Sequence, residues 1–233
     1  MQIEGAAALV TGANRGLGAA IAQALVDGGA KVYGGARDTT TITNQDVIPV
    51  LLDVTSLDDI ASAARTCGDV SIVVNNAGIL RQASSLAAGS VDAARAEMET
   101  NFFGALRMAR AFAPVLRDNG GGALVNVLSV LSFISMPQGA TYSASKSAAW
   151  SLTNALRHEL APQRTQVTAL HMAFVDTDLV RALDGPKTRP ELIVQRALDG
   201  LEAGLDEVLA DERTQRVKES LSAHAASYLP ARA

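Results

Sequence analysis

The chain has 233 residues, 48% of them hydrophobic, 19% charged and 4% aromatic, with 20 Lys and Arg against 24 Asp and Glu for a net charge of −4. That balance is enough for a large core, excludes a disordered or fibrous chain, and leaves no basic footprint for nucleic acid. Cys67 is the only cysteine, so one chain can form neither a disulfide nor a cysteine zinc cluster, which points to a reducing, cytoplasmic setting. No signal peptide is expected, and no apolar run reaches the length of about 18 residues that a membrane span needs, so no membrane partner is expected either.

In chain order, Val-rich apolar runs bounded by Gly, Asn or Asp recur at 6–10, 31–33, 47–52, 70–74, 123–127 and 166–170, and read as buried strands. Stretches with helical spacing lie between them, such as Ile21, Ala24 and Leu25, and later Phe102, Leu106, Ala109 and Phe112. Strands without polar alternation that alternate with helices predict an α/β fold, a doubly wound parallel sheet with helices on both faces. No Pro/Ser-rich linker divides the chain, and the Gly-rich stretch 118–122 is a tight helix-to-strand loop, so one domain over 1–233 is expected. Residues 184–190 carry Gly185, Pro186 and Pro190, break helical periodicity and read as a mobile loop. Residues 191–203 read as a helix, 207–210 as a last short strand and 212–222 as a polar terminal helix, with 179–203 as a substrate loop and helix.

Thr11-Gly12-Ala13-Asn14-Arg15-Gly16-Leu17-Gly18 follows the first strand and opens the first helix. Such a turn aims backbone N–H groups and the positive end of the helix dipole outward, and glycines let a pyrophosphate approach. The spacing is GxxxGxG rather than the general GxGxxG. The second strand ends in Gly34-Gly35-Ala36-Arg37, with no acid where a dinucleotide-binding fold usually contacts the adenosine ribose. Arg37 and Arg15 are therefore expected to clamp a ribose 2′-phosphate, favouring NADP over NAD, although Asp38 follows Arg37 directly.

Tyr142-Ser143-Ala144-Ser145-Lys146 puts a phenol and an ammonium four residues apart on one helix face. Ser129 stands thirteen residues before Tyr142 at the end of the fifth strand, Asn75-Asn76-Ala77-Gly78 ends the fourth, and Asn101 lies in the helix between. With these residues the chain resembles the short-chain dehydrogenase/reductase family, over residues 10–178. The resemblance implies a Rossmann-like fold and an NADP-dependent oxidoreductase that interconverts a carbonyl and an alcohol. It makes Gly12, Asn14, Arg15, Gly16, Leu17 and Gly18 the cofactor turn, places Asp53-Val54 at the adenine, and makes Asn76-Ala77-Gly78 a sheet-supporting segment. Val175 and Thr177 would flank the nicotinamide, with Thr177 meeting the carboxamide.

The same resemblance makes Asn101, Ser129, Tyr142 and Lys146 a catalytic tetrad. Tyr142 would be the general acid in reduction, its phenol lowered from about 10 by the Lys146 ammonium and the nicotinamide cation. Ser129 would polarise the substrate carbonyl, Lys146 would also hold the nicotinamide ribose, and Asn101 would position a water that feeds protons through Lys146. NADPH would supply the hydride. Two departures stand out: Met172-Ala173 replaces the usual Pro-Gly after the sixth strand, and Leu128 stands beside Ser129 where many relatives carry a second serine.

Leu131, Phe133, Ile134, Met136 and Pro137, with Leu80, Phe174, Leu179 and Leu183, predict an apolar pocket for a small or medium ketone, aldehyde or secondary alcohol. Arg81 and Gln138 are candidates for recognising a polar group. His158, His171 and His224 lack metal-ligand spacing and read as surface or packing residues, so no metal is expected. The resemblance further implies a homodimer or homotetramer packed through the helix around Trp150 and the preceding one, 101–117. The alternative function is a non-catalytic NADP-binding sensor or scaffold on the same fold.

Overall fold

The structure is a computed structural model that describes residues 1–181 and 185–229. Seven strands, β1 (Ala7–Thr11), β2 (Lys31–Ala36), β3 (Val47–Leu51), β4 (Ile72–Asn75), β5 (Gly122–Val127), β6 (Thr165–His171) and β7 (Glu207–Leu209), make one sheet in the order β3-β2-β1-β4-β5-β6-β7. Every neighbouring pair is parallel. The helices are α1 (Gly16–Asp27), α2 (Leu57–Thr66), α3 (Ser90–Glu97), α4 (Ala105–Asp118), α5 (Ala140–Leu160), α6 (Pro190–Glu202) and α7 (Glu212–Ser220). A π-helical turn, Met98–Gly104, joins α3 to α4.

Both faces of the sheet are dry, which is why its strands show no polar alternation. On one face Ala8 and Val10 of β1 pack with Ile21 and Leu25 of α1 and Ile193 and Leu201 of α6. On the other, Leu9, Val73 and Leu124 pack with Phe112 and Leu116 of α4 and Leu156 of α5. The sheet is Rossmann-like: the chain leaves β1 towards β3, then returns to β4 and runs the opposite way. That reversal opens a crevice beyond the carboxyl ends of β1 and β4, where such folds bind their ligands.

β2 runs to Ala36, ending within the Gly34-Gly35-Ala36-Arg37 stretch read as its end and beyond the apolar run 31–33. Gly34 and Gly35 lie inside the strand, where a Cβ would come within 2.6 Å of Val47 Cγ1 and 2.7 Å of Leu52 Cδ2 respectively. Their smallness serves packing rather than a turn. Within the stretch read as a mobile loop, Thr188 is tied back: its N–H donates to Phe174 O at 2.8 Å and its carbonyl accepts from Asp176 N at 2.9 Å. No described helix is long and apolar enough to cross a membrane.

Candidate active site

The crevice holds a cavity of about 770 Å³ that runs from the glycine turn to the end of β5. At the first end the backbone is held by Thr11 and Asn76. The Thr11 hydroxyl donates to Val74 O (3.3 Å) and accepts from the N–H groups of Asn76 (3.0 Å) and Ala77 (2.9 Å). Asn76 Nδ2 donates to Thr11 O (2.8 Å) and Gly12 O (3.2 Å). Gly12 has φ +65° and Gly16 +54°, a region that favours glycine. A Cβ on Gly18 would sit 2.1 Å from Gly12 O. α1 then begins with no side chain capping its first turn. A close glycine cradle at an uncapped helix start fits a pyrophosphate.

Asn14, Arg15, Gly16, Leu17, Arg37, Asp53 and Val54 line the same end of the cavity, as the sequence implied. Arg15 and Arg37 are exposed. Asp38 also lines this wall and caps the short turn Thr39–Thr41, accepting from Thr40 N (3.0 Å) and Thr40 Oγ1 (2.6 Å), bonds that hold its carboxyl below the usual range. Asp53 Oδ1 likewise accepts from Thr55 N (2.9 Å) and Thr55 Oγ1 (2.7 Å).

At the far end Ser129, Tyr142 and Lys146 share the cavity wall with Ala77, Gly78, Val175 and Thr177. Ser129 leaves β5 in extended backbone and its Oγ accepts from Leu131 N at 3.1 Å. Tyr142 lies in the first turn of α5, with Lys146 one turn further on and its Nζ 5.7 Å from the phenol ring centre. That ammonium donates to Val127 O at 2.8 Å, and burial lowers it to about 8. The protein's own groups act on the phenol in the other direction. Burial and then the Glu97 carboxylate push Tyr142 above its ordinary value, and a hydrogen bond with Ser129 only partly offsets them. The protein's own groups therefore keep Tyr142 protonated.

Asn101 is buried in the π-helical turn and is not part of the cavity wall. Its Oδ1 accepts from Ile79 N (2.9 Å), and its Nδ2 donates to Ile79 O (3.0 Å) and Ser145 Oγ (2.9 Å). Both amide protons are thus committed to the segment after Gly78 and to α5, so the side chain positions protein more than water. Of the apolar pocket candidates, Leu80, Leu131, Met136, Phe174 and Leu179 line the cavity, and so does Arg81. Phe133, Ile134, Pro137 and Gln138 do not, and Leu183 lies outside the described residues.

Three residues near the site carried no sequence signal. Glu97 is fully buried, and one of its oxygens accepts from Arg81 N at 2.7 Å. Asp211 caps α7 and also accepts from Ala173 N at 2.7 Å, while Val130 N donates to Met172 O at 2.8 Å. Those bonds fix the turn that lacks Pro-Gly. His171, read as a surface or packing residue, is fully buried and stacks on Phe133 with ring centres 4.3 Å apart. Among the described residues no group of three or more His, Cys, Asp or Glu could hold a metal.

Residues 6–187 match the family profile described as short chain dehydrogenase. An uncharacterised oxidoreductase of Staphylococcus saprophyticus is 30% identical over 219 residues, 87% of this chain and 93% of that protein. The 3-oxoacyl-(acyl-carrier-protein) reductase of Vibrio harveyi is 32% identical over 194 residues, 79% of each. Among solved structures, a short chain dehydrogenase from Burkholderia cenocepacia in complex with NADP has a TM-score of 0.92 and 42% identity, covering 96% of this chain and 95% of that one. A 3-ketoacyl-(acyl-carrier-protein) reductase from Brucella melitensis, complexed with NADH, has a TM-score of 0.81 and 28% identity, covering 89% and 96%. The chain belongs to the short-chain dehydrogenase/reductase family and is an oxidoreductase of that family.

Proposed function

We propose that the protein is an NADPH-preferring reductase that interconverts an apolar ketone or aldehyde with its alcohol, using Tyr142 as general acid and base. The observation that carries this reading is the meeting of Tyr142, Ser129 and Lys146 at one end of a cavity whose other end is the glycine cradle. Gly12, Asn14, Arg15, Gly16, Leu17, Gly18, Arg37, Asp53, Val54, Val175 and Thr177 would hold the cofactor, with Asn76, Ala77 and Gly78 behind them. Bound there, NADPH supplies the hydride.

Tyr142 gives its phenolic proton to the carbonyl oxygen as the alcohol forms, a task suited to a phenol that the protein keeps protonated. Ser129 Oγ donates a hydrogen bond to the same oxygen and stabilises the charge that develops on it. Lys146, close to its neutral form yet still charged at pH 7, faces the tyrosinate left behind. Asn101 holds Ile79 and Ser145, and Ser145 Oγ in turn donates to Tyr142 O at 2.7 Å, so the tyrosine's backbone is fixed from the π-helical turn.

The NADP preference rests on Arg15 and Arg37 at the cavity wall and on the lack of an acid at the end of β2. The substrate class rests on Leu80, Leu131, Met136, Phe174 and Leu179 around the reacting end. The chain would work as one domain in the cytoplasm, as a homodimer or homotetramer packed through α4 and α5. NADPH and NADH consumption should be measured across aldehydes, ketones, quinones and ketoacyl thioesters. Turnover of apolar carbonyls with NADPH is expected; activity confined to strongly anionic substrates would refute the pocket reading, and tight NADPH binding without turnover would favour a sensor or scaffold.

A further inference from the structure

We infer that His171 is a positioning residue for Ser129, oriented from behind by Glu207 and, through Glu207, by Lys218. The inference rests on the reading of Ser129 as the hydroxyl that meets the substrate carbonyl. His171 is the last residue of β6, fully buried, with its ring stacked on Phe133 at 25° and edge-on to Trp150 at 6.2 Å. Its Nδ1 lies 3.1 Å from Ser129 O and its Nε2 lies 3.5 Å from Glu207 Oε1.

Both neighbours are acceptors. A carbonyl oxygen has no proton to give, and Glu207 is a carboxylate pulled down to about 2, first by its bond with His171 and further by Lys218. Nδ1 is therefore the nitrogen that carries the proton donated to Ser129 O. The charged groups facing the ring are Glu207 from β7 and Lys218 from α7. Lys218 Nζ bonds Glu207 at 2.9 Å and lies 4.6 Å from the Phe133 ring centre and 4.9 Å from that of Trp150.

The grip matters because a peptide unit is planar. The peptide joining Ser129 to Val130 has its oxygen held by His171 Nδ1 at 3.1 Å and by Ser132 N at 2.9 Å, and its N–H held by Met172 O at 2.8 Å. Two neighbouring residues at the exit of β6 thus grip both polar ends of one plane, and the plane fixes the Cα from which Ser129 Oγ projects into the cavity. Ser132 and Met172 contribute backbone groups, so His171 is the side chain in that clamp.

The test joins a spectroscopic and a kinetic readout on the full chain. With the ring nitrogens of the three histidines labelled with 15N and the His171 signals assigned through His171→Asn, Nδ1 of His171 should carry a slowly exchanging proton bonded to Ser129 O, and that signal should move in Glu207→Gln. An Nδ1 without a proton, or a signal unmoved by Glu207→Gln, would overturn the inference. In kinetics His171→Phe keeps the stacking ring but loses the donor, and should cost about tenfold in kcat with KM for NADPH unchanged, whereas His171→Asn, whose amide can replace Nδ1–H, should stay within about threefold of wild type. Equal losses in both variants, or none in His171→Phe, would overturn it as well. If the wild-type protein reduces no carbonyl, the reductase reading falls, and the 15N spectra still decide the state of His171 on their own.

Discussion

Replacing Arg37 by Ala should weaken NADPH far more than NADH. A ribose 2′-phosphate carries a charge of about −1.5 to −2 and accepts charge-assisted hydrogen bonds from a guanidinium fork, each worth about 1.5–3 kcal/mol when well formed. Arg37 is exposed, so water and salt screen the pair and the lower end applies, giving about a tenfold rise in the Kd for NADPH. Asp38 lines the same wall, and its bonds to Thr40 favour its charged form, which also keeps the gain at the lower end. Arg15→Ala, in the same cavity lining, should give a second loss of similar size. The assay is nucleotide fluorescence titration with both cofactors at two salt concentrations. The NADPH affinity of the wild type should fall with salt more steeply than that of Arg37→Ala, while NADH is indifferent to both changes. Equal losses for NADPH and NADH, or a wild type that binds the two alike, would refute the clamp.

Gly18→Ala should abolish cofactor binding while leaving secondary structure in place, because its methyl would sit 2.1 Å from Gly12 O and must open the turn. A wild-type rise of Tm on adding NADPH in that variant would contradict the cradle. Glu207 gives a pH prediction with a definite sign. Its carboxyl is depressed from 4.5 to about 2 by His171 first and then Lys218, so its stabilisation is present above pH 4.5 and is lost as pH falls towards 2. Urea titrations should therefore show the stability gap between wild type and Glu207→Gln closing over that window; a gap of constant size from pH 5 to pH 2 would count against the buried network.

The parts of the fold that were legible from sequence are those set by local chemistry. The glycine turn needs φ values and close approaches that few other residues accept, so its glycines, set between the first strand and the first helix, announced it. The strands lack polar alternation because helices cover both faces of the sheet. The misreadings arose where tertiary contacts decide. Gly34 and Gly35 do stand near the end of β2, but the reason they are small, Val47 and Leu52 pressing on them, has no local signal. The phenol of Tyr142 is expected to be lowered by the Lys146 ammonium together with the nicotinamide cation; in the protein alone that ammonium is turned to Val127 O, and burial and Glu97, which no local pattern shows, raise the phenol. His171 and Asp211 had no local signature, since their partners Ser129 and Ala173 lie 42 and 38 residues away along the chain. Asn101 was found by motif, yet its bonds to Ile79 and Ser145 depend on a π-helical turn that hydrophobic periodicity does not reveal.

The most direct test of the central claim is Tyr142→Phe, measured as kcat with NADPH on a carbonyl that the wild type reduces, beside the Kd for NADPH. Removing one buried hydroxyl leaves the ring and the cradle untouched, so binding should be unchanged, while loss of the proton donor should lower kcat by about 100- to 10,000-fold. A variant that keeps wild-type turnover would show that the proton comes from elsewhere and would contradict the mechanism.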